Sequence, residues 1–244
     1  MSNILLPNEF ELENVGFNTP RRNNMGGQNI LMSYTIDSNQ SPIIFQTPRI
    51  RVPFGLDERD DGAGPKYSIN VSLAFGENQN ANLVTFTDNI RSIDKFVKEQ
   101  ASEKSESWFE KKMKPDVIDE LFRSCEKKPK DEAKWPSTLK LKLPFRDGKP
   151  QFEIYDDAKK KLEIMNDGVV NLDCIQKGCE IVALIQCTGV YFVGKTQFGI
   201  GWKILQMKIF QTNKLVGYSI VDDESDGEEL EGEEEGAATA ENED

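Results

Sequence analysis

Apolar and polar residues alternate with a period of two over most of the chain, interrupted once by helical spacing. Asn29 to Ile36, Ile43 to Phe54 (broken near Pro48) and Tyr67 to Phe75 are short runs of β-branched and aromatic residues between polar, Gly- and Pro-containing turns, which predicts strands. Asp57 to Pro65 reads as a loop. From Thr87 onward Ile90, Ile93, Phe96, Val97 and Ala101 share one helical face, with Thr87 or Asp88 placed to cap it. A second helix is predicted from Pro115, a residue suited to a first turn, and buries Val117, Ile118, Leu121 and Phe122. After a charged loop from Lys127 to Lys134, strands resume at Leu139 to Pro144, Gln151 to Tyr155, Glu180 to Val193 and Phe198 to Gln211.

Strands, a helical insert over about residues 87–134, then strands again is the element order of a mainly β fold, an OB-type barrel with a helix between its third and fourth strands. Residues 1–28, rich in Asn, Gly and charge, read as an N-terminal arm, and residues 29–221 as one domain.

Charge adds a third region. Asp222 to Asp244 holds 13 of the 42 acidic residues and no lysine or arginine, leaving 29 acids against 30 bases in the body. The net charge of -12 therefore belongs to this tail, whose composition predicts disorder. Such a tail keeps a protein soluble, competes with a polyanion for the body's own basic surface, or docks on basic partners.

The absence of histidine removes imidazole triads, histidine metal sites and histidine acid–base chemistry. Cys125, Cys174, Cys179 and Cys187 form no CxxC pair, and the amino terminus has no charged region followed by a long apolar stretch. Both features predict a reduced, intracellular protein. The most apolar stretch, Ile181 to Val193, is too short to span a bilayer, so no membrane partner is expected. Cys174 and Cys179 lack further ligands at metal-site spacing and read as buried free thiols, and Asp57-Glu58-Arg59-Asp60-Asp61 reads as solvated charge. Neither a cofactor nor a catalytic constellation is expected.

Gly189 to Thr196 matches the phosphate-loop pattern GxxxxGK[ST] letter for letter. That loop needs flexible residues and a following helix, whereas Val, Tyr, Phe and Val favour a strand and another strand pattern follows. The expected structure is a hairpin whose turn, about Gly194 to Gln197, presents Lys195. Two strands carry cations on one face and hydrocarbon on the other: Arg49 and Arg51 oppose Ile50 and Val52, and Lys140 and Lys142 oppose Leu139, Leu141 and Leu143. Lysines on solvent faces are also ordinary protection against aggregation. In the last hairpin Tyr191, Phe192, Phe198 and Trp202 lie near Lys195, Lys203 and Lys208, and Gly199 and Gly201 would leave one face bare for a flat ligand. Aromatics for bases and lysines for phosphates make a binder of single strands, although alternation must send about half of these rings into the core.

Thr47-Pro-Arg-Ile-Arg-Val-Pro-Phe-Gly-Leu56, Lys66-Tyr-Ser-Ile-Asn-Val-Ser-Leu73, Trp135-Pro-Ser-Thr-Leu-Lys-Leu-Lys-Leu-Pro144 and Phe198-Gly-Ile-Gly-Trp-Lys-Ile-Leu-Gln206 resemble the single-stranded DNA-binding proteins of nucleocytoplasmic large DNA viruses, a group related in fold to acidic-tailed phage single-strand binders. The resemblance runs from about Gly16 to Phe210. It implies an OB-fold core that coats single-stranded DNA in replication, recombination and repair, and a tail that shields the groove and contacts polymerase or helicase-primase. It also implies location in the host cytoplasm, in viral factories, or in the nucleus, and leaves room for a homo-oligomer. The phage proteins end in an aromatic residue; this tail contains none.

The expected function is thus non-enzymatic, sequence-independent binding of single-stranded DNA. Arg49, Arg51, Lys140, Lys142, Lys195, Lys203 and Lys208 would engage phosphates, and Tyr191, Phe198 and Trp202 would stack on bases. The rival reading is an acidic-tailed interaction or chaperone protein for basic clients that does not touch DNA.

Overall fold

A computed structural model describes residues 4–22, 27–60, 62, 64–74, 76, 80–166, 168–194 and 196–210, all within the unit Met1–Thr212. Lys195 and the acidic tail lie outside the described residues. Ten strands come first: β1 (Ile4–Leu5), β2 (Val15–Phe17), β3 (Arg21–Arg22), β4 (Gln28–Ile30), β5 (Met32–Ile36), β6 (Asn39–Pro42), β7 (Ile44–Gln46), β8 (Ile50–Arg51), β9 (Leu56–Asp60) and β10 (Pro65–Ser72). The helices α1 (Ala81–Glu103), α2 (Ser105–Phe109) and α3 (Pro115–Leu121) follow. Then come β11 (Phe122–Arg123), β12 (Glu126–Lys127), β13 (Thr138–Leu143), β14 (Phe145–Arg146), β15 (Lys149–Pro150), β16 (Glu153–Tyr155), β17 (Met165–Asn166) and β18 (Val169–Val170). The 14-residue strands β19 (Glu180–Val193) and β20 (Gln197–Phe210) close the series.

The fold is mainly β, and the β19–β20 hairpin is its spine. One face of each long strand is a regular series of buried residues, such as Ile181, Ala183, Ile185 and Cys187 on β19. The opposite edge of β20 receives β11, β13 and β16 in succession, each parallel to it. The main sheet runs in the order β1-β7-β19-β20-β13-β10-β9, and among the described residues no ladder joins its two ends.

Helix α1 closes over the apolar face. Phe86 meets Phe45 of β7 edge-on at 6.0 Å between ring centroids, and Phe45 in turn packs on Trp202 of β20 at 5.9 Å. Side chains of this size each contribute about 1.5–3 kcal/mol on full burial, so these contacts hold the insert on the sheet. Among the described residues no helix is long and apolar enough to cross a membrane.

The structure corrects the sequence reading in several places. Helix α1 starts at Ala81, and Asn80 caps it by accepting from the Asn82 N–H at 2.9 Å. Thr87 is instead a buried tie in the second turn: its hydroxyl donates to the Leu83 carbonyl (2.8 Å) and accepts from the Ala74 N–H (3.0 Å). Asp57 to Asp60, expected in a loop, belongs to edge strand β9, where charge is at home because one side has no neighbouring strand. Residues 4–22 are not a free arm, since Leu5 and Val15 are core residues and β1 pairs in parallel with β7. Of the GxxxxGK[ST] match, Gly189 to Val193 form the end of β19 and Thr196 directly precedes β20. Gly189 serves packing there. Its φ is +92° and a Cβ would collide with the Ile30 carbonyl, so only glycine lets β4 approach β19.

Candidate nucleic-acid interface

The TLKLKL sequence of β13 buries Leu139, Leu141 and Leu143 and turns Lys140 and Lys142 outward. Directly opposed residues of paired strands share a face, so the ladders assign the neighbours of these lysines. Lys142 lies between Ser68 of β10 and Lys203 of β20, and Lys203 faces Gln186 of β19. A polar row thus crosses four strands.

A second row lies nearer the hairpin tip. Arg21 opposes Asn29, Asn29 opposes Tyr191, Tyr191 opposes Gly199, and Gly199 opposes Arg123. One tyrosine therefore sits in an outward row with an arginine at each end. A Cβ on Gly199 would come within 2.9 Å of the Tyr191 Oη and 2.6 Å of the Arg123 carbonyl oxygen, so the phenol end of Tyr191 lies down over the glycine. The Lys142 ammonium stands 5.8 Å from the Tyr191 ring centroid. Gly201, beside it, is covered by the Thr188 hydroxyl. The expectation of bare glycines is therefore corrected: the space over them holds Tyr191 and Thr188, and glycine is what allows the ring to recline.

Charge is concentrated here. Partial burial, reinforced by the nearby charges of Lys140 and Lys66, holds the Lys142 ammonium below the ordinary lysine range although its side chain reaches solvent. An anion arriving among these cations relieves that repulsion. Lys140 has a partner, its ammonium lying 3.2 Å from Asp57. Burial acts to raise the Asp57 carboxyl, but hydrogen bonding and charge from Lys140, with Arg59 and Ser68, outweigh it and keep it below its usual value. Burial raises the Tyr191 phenol, with a smaller contribution from the Cys125 thiol and an opposing one from Arg123.

A second cationic cluster lies about 15 Å farther along β20, five residues from Lys203. Lys208 faces Val182 on one side and Tyr155 of β16 on the other. Arg49 bonds Glu180 at 2.6 Å and lies 4.1 Å over the Phe210 ring, which Lys208 approaches at 4.9 Å. Arg51 opposes Glu180. The structure thus places Lys140, Lys142, Lys203 and Tyr191 in one group and Arg49, Arg51 and Lys208 in another, on the outer face of the same hairpin.

Phe198 and Trp202 are not there, and their expected stacking role is corrected. They are 0% and 2% exposed, because alternation along β20 turns residues 198, 200, 202 and 204 inward. Phe198 joins Phe109, Phe122 and Phe192 in a ring cluster, and the Trp202 Nε1 donates to the Cys125 Sγ at 3.3 Å. Lys195 lies outside the described residues. Arg21 and Arg123 were missed as site residues. Arg21 sits in the polar lead-in, which has no strand pattern of its own, and Arg123 owes its place to a two-residue parallel pairing that leaves no local pattern. Among the described residues no group of three or more carboxylates or thiols converges as a metal site.

The family model described as "Family of unknown function (DUF5871)" matches residues 69–222. The curated protein "Uncharacterized protein L291" of Acanthamoeba polyphaga mimivirus is 25% identical over 173 residues, 69% of this chain. The chain spans only 26% of that relative's length. Two solved phage structures also align. The single-stranded DNA-binding protein gp2.5 of bacteriophage T7 is 14% identical at a TM-score of 0.46, over 82% of this chain and all of the other. The single-stranded DNA-binding protein of bacteriophage Enc34 in complex with single-stranded DNA is 15% identical at a TM-score of 0.39, over 82% of this chain and 98% of the other. Scores in this range do not establish a common fold.

Proposed function

We propose that this chain, which belongs to the DUF5871 family by a match over more than half its length, is a non-enzymatic, sequence-independent single-stranded DNA-binding protein. The observation that carries the reading is Tyr191, a partly buried ring laid over Gly199 in a row with Arg21 and Arg123 and beside Lys142. Every base has a π-face, so such a platform takes any base, while the surrounding cations take the phosphates on either side. A duplex hides its base faces and forfeits the stacking half of the interaction.

In this reading the strand runs from the Tyr191 row past Lys142 and Lys203 toward Lys208, Arg49 and Arg51, and the core is of OB type. The protein acts in DNA replication, recombination and repair of a virus, in the cytoplasm or nucleus of the host cell. The acidic tail competes with DNA for the cationic face: a tethered segment has a millimolar-range effective concentration, enough for weak contacts to count. It also offers a polyanion to basic sites on replication proteins such as polymerase or helicase-primase.

The tail's 13 acids in 23 residues also favour the rival reading, a chaperone for basic clients. One titration separates them. Full-length protein and a form lacking residues 222–244 are titrated against labelled single- and double-stranded oligonucleotides at two ionic strengths. The proposal expects preference for the single strand, weakening with salt, and tighter binding without the tail, most at low salt where screening is least. Equal affinity for duplex, or no DNA binding together with tail-dependent capture of a basic client, would sink it.

A further inference from the structure

The residue after Tyr191 lies on the opposite side of the sheet. There Phe192 helps line a second feature, a cavity of about 340 Å³ at the hairpin tip, bounded also by Arg22, Trp108, Phe109, Lys111 and Met113. Phe109 meets Phe192 at 5.4 Å between centroids and 72°, and Trp108 stands edge-on to it at 6.3 Å. The Gln28 Nε2 donates to the Trp108 carbonyl at 3.1 Å and ties the wall to β4.

The mouth is cationic and local. Arg22 and Lys111 are exposed, and Arg22 is ion-paired with Glu110. Glu110 ends α2 with a φ of +61°, a conformation that costs a non-glycine residue energy. That turn lets Phe109 enter the ring cluster while its neighbour reaches Arg22. Successive residues thus serve the two sides of the tip, Tyr191 and Arg21 the outer face and Phe192 and Arg22 the cavity.

We propose that this cavity takes one base of the bound single strand, turned over the hairpin tip, with Phe109 and Phe192 against the base and Arg22 and Lys111 on its phosphate. The inference rests on the single-strand reading above. The size of the cavity supports a base, since it lies near the lower end of the roughly 300–1,000 Å³ range of small-molecule sites and is too small for a folded segment. The mouth supports a nucleotide over an apolar peptide side chain, because an incoming phosphate can replace the Glu110 carboxylate on Arg22 without leaving either charge in an apolar environment.

The experiment uses the full chain, a labelled oligo-dT and an abasic oligonucleotide of equal length. Met113→Trp fills the cavity; Arg22→Ala with Lys111→Ala removes the mouth. The filled variant should lose roughly tenfold in oligo-dT affinity, the order of one base stack, and nothing on the abasic strand. The double variant should weaken on oligo-dT with a shallower salt dependence. If Met113→Trp melts like the wild type and binds oligo-dT equally well, while Lys142→Ala weakens binding, the base pocket is wrong and the outer face stands. If the filled variant does not fold, unchanged oligo-dT affinity in the double variant overturns the pocket just as well. Wild-type protein that binds neither oligonucleotide overturns the single-strand reading itself.

Discussion

Replacing Tyr191 by alanine separates stacking from charge. The ring is partly buried and already pinned over Gly199, so little freedom remains to be lost when a base lands on it. Base–aromatic stacking is worth ~1–3 kcal/mol, and the middle of that range, about 2 kcal/mol, corresponds to about 30-fold in affinity. The cost to stability should be smaller, about 1 kcal/mol for a half-buried ring, or a shift in melting temperature of about 2–4 °C. The assay is fluorescence anisotropy with a single-stranded oligonucleotide over a series of salt concentrations, alongside thermal melting. Tyr191 carries no charge at neutral pH, so the line of log affinity against log salt should drop without changing slope, and Tyr191→Phe should restore most of the loss. Wild-type affinity in a folded Tyr191→Ala protein, or a change in slope with no change in intercept, refutes the platform.

The cations should behave in the opposite way. Lys142→Ala and Lys203→Ala should each flatten the salt dependence by about 0.7 in log–log slope for every phosphate that is no longer neutralised, measurable in the same titrations. Trp202→Ala should cost about 3–5 kcal/mol of stability in denaturant unfolding, since the indole is core, and a loss of binding with unaltered stability would contradict its placement. Asp94 tests the buried polar cluster beneath the sheet. Its Oδ2 accepts from the Ser124 hydroxyl (2.6 Å) and the Cys125 N–H (2.8 Å), while Oδ1 is buried without a partner, and burial raises its pKa above 3.8. A raised carboxyl binds its proton more tightly in the folded state, so its contribution is full below the unfolded pKa and is lost as pH rises through the folded one. The stability of wild type relative to Asp94→Asn should therefore fall as pH rises from below 3.8 toward neutrality; a flat difference in denaturation midpoints excludes this.

Legibility in the sequence followed how local the cause was. β19 alternates between a buried and a half-buried face from Glu180 to Gly189, and the strand's predicted limits, Glu180 to Val193, are those observed. β9 was hidden because Leu-Asp-Glu-Arg-Asp satisfies only an edge, and the first turn of α1 because Ala81 to Thr85 buries none of its residues. The same limit governs the site. Alternation required Tyr191 and Phe192 to part company but could not tell which would face out; that was decided by pairing with Asn29, about 160 residues earlier in the chain. Trp202 and Phe198 were indistinguishable from surface aromatics until the parity of β20 was known. Lys142 and Lys203 each had a pattern, but their adjacency depends on a parallel ladder between strands separated by the whole β14–β19 region.

The irregularity between Leu184 and Ile185, opposite the interval from Ile204 to Gln206, sets the polarity of the whole face. Lys203 and Lys208 are an odd number of residues apart, and an unbroken strand would aim them at opposite sides. Leu205, the residue with no counterpart on β19, absorbs one step of the alternation, so that both lysines emerge on the same side and Ile204, Met207 and Ile209 stay inside. The extra leucine works as a phase shifter: were it drawn into the ladder as an ordinary paired residue, Lys208 and Phe210 would turn toward the interior and Met207 and Ile209 to solvent, dividing one cationic surface in two, whereas deleting it leaves Lys203 and Lys208 an even number of residues apart and on the same side.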